Sequence, residues 1–196
     1  MNYDHHITPG MRYPSGQKKN THERIVLAAS RIFREQGYRG TGVDAAMKAA
    51  GMTVGGFYAH FPSKEALFAE SLLAAFRGFR KRLFAGTRAR RGSASGELIR
   101  RYFEAERRDE PGGGCPIPAL AADVARSSGA VRETFEQEVQ KMAAALAARL
   151  PGQKDDPGDA ALAILALGAG GVLLSRAVKT PALADRIREA CLRFSE

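Results

Sequence analysis

The chain has 196 residues, 44% of them hydrophobic, and a formal net charge of +9. That length allows one small unit and one larger core, and the positive balance points to a polyanionic partner. Two cysteines, Cys115 and Cys191, are too few for a disulfide framework and are expected as thiols of a reducing compartment.

Residues 1–20 mix Pro, Gly and charge without apolar periodicity, which predicts a flexible arm. Arg12, Lys18 and Lys19 would lie on phosphate or in the minor groove, or the arm is simply an unstructured tail. Met11 is an alternative start, and His5 and His6 read as a solvated pair. No signal-peptide pattern opens the chain, so a cytoplasmic protein is expected. Thr21 can cap a helix with Ile25, Ala28, Ala29, Ile32 and Phe33 on its apolar face, ended by Gly37.

Val43, Ala46, Met47 and Ala50 recur at helical spacing, and Gly51 stops that helix. Thr53 can cap a second, short one over 54–60, with Phe57 and Phe61 anchored inwards. Helix, tight turn, helix is the arrangement in which the second helix enters the major groove. Tyr58 and His60 point elsewhere, towards phosphate or into the small domain's packing. Gly55 and Gly56 each cost roughly 1 kcal/mol of helix stability relative to Ala, with close approach to a duplex as the gain. Thr41 and Gly42 open the first helix of the pair, whose N–H groups suit phosphate. From Met11 to Lys64 nine basic residues face three acidic ones, so most of the excess charge lies in this part.

A long helix follows from Lys64 to about Phe84, capped by Ser63, with Phe68, Leu72, Ala75, Phe76, Phe79 and Leu83 on one stripe. Arg80, Lys81, Arg82, Arg88, Arg90 and Arg91 at its exit read as a solvated charge run or a DNA contact. Beyond it the sequence predicts a helix to about Arg108 with Leu98, Tyr102 and Phe103, then a Gly/Pro-rich loop containing Cys115, and a short helix over 118–126. Ser127 or Ser128 caps the next helix, striped by Val131, Phe135, Val139, Met142 and Leu146. Residues 151–157 read as a linker. The stretch 159–178 is nearly all small or apolar, but it is too glycine-rich and too tightly bounded by Asp159 and Arg176 for a membrane span, so no membrane partner is expected. Ala163, Ala166, Gly170 and Gly171 would let another helix approach closely. Thr180 and Pro181 start a final helix through Leu183, Ile187, Ala190, Cys191 and Phe194.

The run from Thr21 to about Leu73, and above all FYAHFPSKEAL following AAGMTVGG, resembles the tetracycline-repressor (TetR) family of bacterial transcriptional regulators. The resemblance implies an all-α protein: an arm over 1–20, a three-helix DNA-binding domain over 21–66, and a helical ligand-binding and dimerisation domain over 67–196. It implies a homodimer joined by the last two helices, reading a double-stranded palindromic operator and released by a small apolar or electrophilic effector. The alternative is a constitutive DNA-binding regulator without that switch. Carried onto matching positions, the family's contacts fall on Thr41, Thr53, Gly55, Tyr58, His60 and Lys64. Val54 departs from the polar or basic residue common there and favours a methyl contact, for instance to thymine.

Phe76, Phe79, Tyr102, Phe103, Phe135 and Met142 would line an apolar chamber or simply form core. Cys115 lies in a segment, GCPIPALAADVA, that resembles one branch of the family, some of whose members respond to oxidants or electrophiles. At a helix N-terminus in an open loop its thiol would have a lowered pKa. Neither a metal nor a cofactor is expected. An enzyme is improbable, because His5, His6, His22 and His60 all fall in the N-terminal third, leaving none to serve a nucleophile further on.

Overall fold

The computed structural model describes residues 15–85, 94–106, 111–150 and 156–195. Among these every regular element is helical. The arm residues His5, His6, Met11 and Arg12, and Arg88, Arg90 and Arg91, lie outside them.

Helix α1 spans Ser15–Gly40 and buries Ile25, Val26, Ala29 and Phe33. It is already under way at Ser15, so Thr21 sits inside it rather than capping it, and Lys18 and Lys19 ride on helix rather than on an arm. Gly37 breaks it as expected, at φ 74° and ψ 168°, a region open essentially to glycine alone. One further turn follows, and Asp123 accepts the freed Tyr38 N–H at 2.9 Å.

Helix α2 is Val43–Ala49, with Gly51 at φ 70° just beyond it. The second helix of the pair is a 3₁₀ helix, Val54–Ala59, tighter than the α-helical turns expected. Two adjacent glycines and Pro62 leave little to stabilise a longer one. Helix α3 spans Lys64–Leu83, and Ser63 Oγ accepts the Ala66 N–H at 3.1 Å, the expected cap.

Helix α3 is the spine of the molecule. Its first half puts Leu67, Phe68 and Leu72 into one core with α1, α2 and Phe57, and its second half puts Phe76, Phe79 and Leu83 into another. Each such side chain contributes roughly 1.5–3 kcal/mol on burial.

The second core is enclosed by α4 (Ala94–Ala105), α5 (Pro116–Val124), α6 (Gly129–Ala147), α7 (Pro157–Ala177) and α8 (Pro181–Phe194). Leu120 and Val124 of α5 and Val131 of α6 join the first core instead, so the two units share a packed seam. Ser128 caps α6 and Asp156 caps α7. Helix α7 is long and apolar enough to cross a membrane by length and composition, yet it packs against α4, α5, α6 and α8. Close approach occurs at Gly168, where a Cβ would sit 2.9 Å from the Tyr102 ring, and at Gly171, 2.9 Å from both Phe103 and Cys191 Sγ. Ala163 and Ala166 are exposed, and within the chain a Cβ on Gly170 would meet nothing within 4 Å.

Candidate nucleic-acid interface

The reading turn is held from beneath. Phe57 and Phe61 are buried with ring centroids 5.7 Å apart, and Met47 of α2 lies buried in the same core. Because these anchors face inwards, Thr53, Val54, Gly55 and Tyr58 are left exposed on one edge, Tyr58 at 76% and Val54 at 48%. Thr53 has the extended backbone of a cap residue, but its side chain makes no cap hydrogen bond. A Cβ on Gly55 would meet nothing within 4 Å, so the backbone there is open to approach. Tyr58 is braced edge-on against Phe57 at 5.1 Å, which points the phenol outward.

His60 sits at the rim, its Nδ1 buried without a hydrogen-bond partner. Burial first, then His22 and Lys18, lower its pKa, so the imidazole is neutral near pH 7 and still able to donate to a phosphate oxygen.

One expected position is placed differently. Thr41 is fully buried and its Oγ1 donates to the Gly37 carbonyl at 2.8 Å, which spends the hydroxyl on closing the α1 turn. Gly42, not Thr41, is the residue preceding α2. Lys64 is half-buried, its Nζ 4.3 Å from the centre of the Tyr38 ring, with burial lowering its pKa and Asp123 opposing that. Lys64 is thereby held beside the α1 break, on the Tyr38 ring.

Two residues that sequence alone did not single out complete the support. Arg24 Nη2 donates to the Ala50 carbonyl at 3.1 Å, tying α1 to the end of α2. His22 stacks on Phe61 at 4.4 Å and its Nε2 lies 2.6 Å from Glu70 of α3. The helical spacing of α1 flags nothing of this, because the partners come from residues 50, 61 and 70.

The seven residues expected around an effector do converge. Phe76, Phe79, Tyr102, Phe103, Cys115 and Met142 are buried in one cluster, with Phe135 packed against it. They fill one another's space: Phe79 meets Tyr102 at 5.1 Å and Phe76 meets Phe135 at 5.5 Å, both edge to face. They form core, and none of them lines the cavities beside α3 described below.

Cys115 is the clearest correction. It precedes α5 as expected, but it is fully buried rather than in an open loop. Burial pushes its thiol up to about 12, outweighing the Tyr102 hydroxyl facing it and the backbone N–H groups of the helix start. Below it the buried carboxylate of Glu106 accepts the Cys115 N–H and pairs with Arg176 at 2.7 Å. Burial also raises Cys191, whose Sγ lies 3.9 Å from the Leu167 carbonyl.

The exit of α3 is likewise more than a solvated run. Arg80 pairs at 2.5 Å with Glu138, 3% exposed, and Arg82 donates to the Gly113 carbonyl. Arg82 also borders a cavity of about 490 Å³ with Arg31, Arg101 and Glu104. A second cavity of about 420 Å³ lies between α1 and α3, near His22 and Glu70. Among the described residues no group of three His, Cys, Asp or Glu side chains is placed to hold a metal.

This geometry agrees with what the chain is similar to. The profile of "Bacterial regulatory proteins, tetR family" matches residues 25–71, and that of "Tetracyclin repressor-like, C-terminal domain" matches residues 96–191. The HTH-type transcriptional regulator LmrA of Bacillus subtilis is 29% identical over 84% of this chain and 92% of its own length. The HTH-type transcriptional repressor DhaR of a Mycobacterium species is 30% identical over 60% of this chain and 61% of its own. The crystal structure of a TetR-family regulator from Cytophaga hutchinsonii superposes with a TM-score of 0.76 at 21% identity, covering 93% of this chain and 96% of that one. With both its domains matched, and an exposed reading edge on a helix-turn-helix, the chain belongs to the TetR family of DNA-binding transcriptional regulators.

Proposed function

We propose that the protein is a cytoplasmic homodimeric repressor that binds a palindromic operator through the edge formed by Thr53, Val54, Gly55, Tyr58 and His60. The observation that carries this reading is the exposure of that edge above a rigid Phe57–Phe61 base, in a chain of net charge +9. Val54 presents methyl groups and Thr53 an uncommitted hydroxyl, which suits direct contact with base edges. Tyr58, His60 and Lys64 take the phosphate role.

Dimerisation is supported by the outer face of the last two helices. Leu162, Leu173, Leu174, Leu183 and Phe194 are exposed there, Phe194 at 86%, and Gly170 leaves room for a partner helix. Exposed large apolar groups on adjacent helices mark an interaction surface. A two-fold pairing would set two reading edges on one face of the duplex.

For the effector, a non-covalent small molecule is favoured over an electrophile taken up by Cys115. A thiol held at about 12 and fully buried is a poor nucleophile at neutral pH. The constitutive regulator remains the second reading, favoured by the closed packing of Phe76, Phe79, Tyr102 and Met142.

The test is a gel shift of the full chain on DNA from its own upstream region across a salt series. Selective binding with a steep salt slope is expected, since each phosphate contact contributes nearly one unit to that slope. Thr53→Ala should change base preference, and Tyr58→Ala should weaken all sequences alike. Binding that stays unselective at every salt, for this DNA and for sequences selected from random pools, would overturn the reading.

A further inference from the structure

The cavity of about 490 Å³ lies where three parts of the chain meet: Arg31 from α1, Arg82 and Leu83 from the end of α3, and Arg101 and Glu104 from α4. The 111–114 turn closes one side through Gly113. Its volume falls within the usual range for small-molecule sites, and its lining joins polar groups to aliphatic wall.

The charge on that wall is unbalanced. Glu35 neutralises Arg31 at 3.1 Å, and Glu97 takes Arg101 at 2.7 Å while also pairing with Arg100. Arg82 makes no ion pair among the described residues; its guanidinium donates to the Gly113 carbonyl. Arg34 grips the same turn, donating to the Gly114 carbonyl at 3.1 Å, with its Nε buried and unpartnered. Burial first, and Arg82 next, bring Arg34 down to about 10, with Glu106 opposing them. Arg101 is only 13% exposed, so it forms the floor, while Arg31, Arg82 and Glu104 stand at the rim.

Guanidinium groups converging from separate helices, with fewer carboxylates than would match them among the described residues, are the arrangement that recognises a carboxylate or phosphate in a forked geometry. We propose that this cleft binds a small organic anion, with its carboxylate or phosphate between Arg82 and Arg101 and its apolar body against Leu83. Glu104 is then placed to accept from a ligand hydroxyl or amine. Such a ligand touches α1 of the DNA-reading unit and α4 of the larger unit at once, so its occupancy changes how α1 is held and hence DNA affinity. That last step rests on the DNA-binding reading; the binding site itself does not.

The test uses the full chain and three probes at matched ionic strength: benzoate, phenyl phosphate and uncharged benzamide, titrated by calorimetry. Saturable binding of benzoate or phenyl phosphate, one per chain and at least tenfold tighter than benzamide, is expected. Which of the two anions binds more tightly identifies the headgroup. Arg82→Ala and Arg101→Ala should each weaken it tenfold or more, and Arg82→Lys should weaken it less, since it keeps the charge and loses the fork. Arg126→Ala, in the exposed turn after α5, should change nothing. No saturable anion binding, equal binding of benzamide, or full retention in the Arg82 variants would overturn the proposal. Gel shifts with and without the tighter anion form a separate arm. Anion binding in a protein that selects no DNA would keep the site and remove the regulatory reading.

Discussion

Gly37→Ala is the sharpest test of how the reading unit is joined to the rest. The native φ of 74° and ψ of 168° are open essentially to glycine, so an alanine forced there costs about 1–3 kcal/mol. Its Cβ would also lie 3.1 Å from Asp123 Oδ2, the atom that accepts the Tyr38 N–H. Displacing that charged acceptor adds roughly 1–3 kcal/mol. The sum, about 2–6 kcal/mol, is a large part of a typical domain's stability. Gly40, three residues on, is the internal control: its φ is not positive, and the nearest atom to an added Cβ is 3.7 Å away. Gly40→Ala should be neutral or slightly stabilising, by up to about 1 kcal/mol. Urea unfolding of both variants measures the difference, and thermal melting should place Gly37→Ala roughly 4–24 °C below the parent. Equal stability of the two variants would refute the claim that the break at Gly37 and its bond to Asp123 hold the units together.

Other outcomes follow from the same packing. Tyr58→Ala should leave stability within about 0.5 kcal/mol, because the side chain is 76% exposed, while weakening DNA binding; equal loss of both in melting and gel shift would make Tyr58 a packing residue. The lowered pKa of His60 means the unfolded chain binds the extra proton more readily, so stability is fully present above about pH 6.5 and is lost as pH falls through the lower folded value. His60→Gln should flatten that part of a pH–stability profile, and an unchanged profile would contradict it. Cys115 should resist alkylation by iodoacetamide at pH 7.5 in the folded protein and react fully in denaturant, read by mass spectrometry; rapid native labelling would contradict its burial. Gly168→Ala should destabilise by about 1–3 kcal/mol in urea unfolding, because its Cβ meets the buried Tyr102 ring at 2.9 Å.

Local chemistry made much of this molecule legible from its residues. The apolar spacing of α1, α2 and α3, the stops at Gly37 and Gly51 and the cap at Ser63 are short-range effects, and each is found where expected. The exposed edge of Thr53, Val54, Gly55 and Tyr58 follows too, because Phe57 and Phe61 could anchor the turn in only one orientation. Whether a segment is already helical ahead of an apparent cap is less local, and α1 continues back through Thr21 to Ser15. What only the tertiary structure decided is burial and charge pairing between distant residues. Cys115 reads as a loop thiol because glycine and proline surround it, yet packing against Tyr102 and Glu106 buries it and reverses its expected pKa shift. Thr41 turns away from a plain DNA contact because the Gly37 carbonyl is its neighbour in space. Arg31 and Arg101, unremarked in their own helices, meet Arg82 of the α3 exit around one cavity. Periodicity records which face of a helix is apolar; which partner that face meets, and which charges then face each other, is set only when the helices pack.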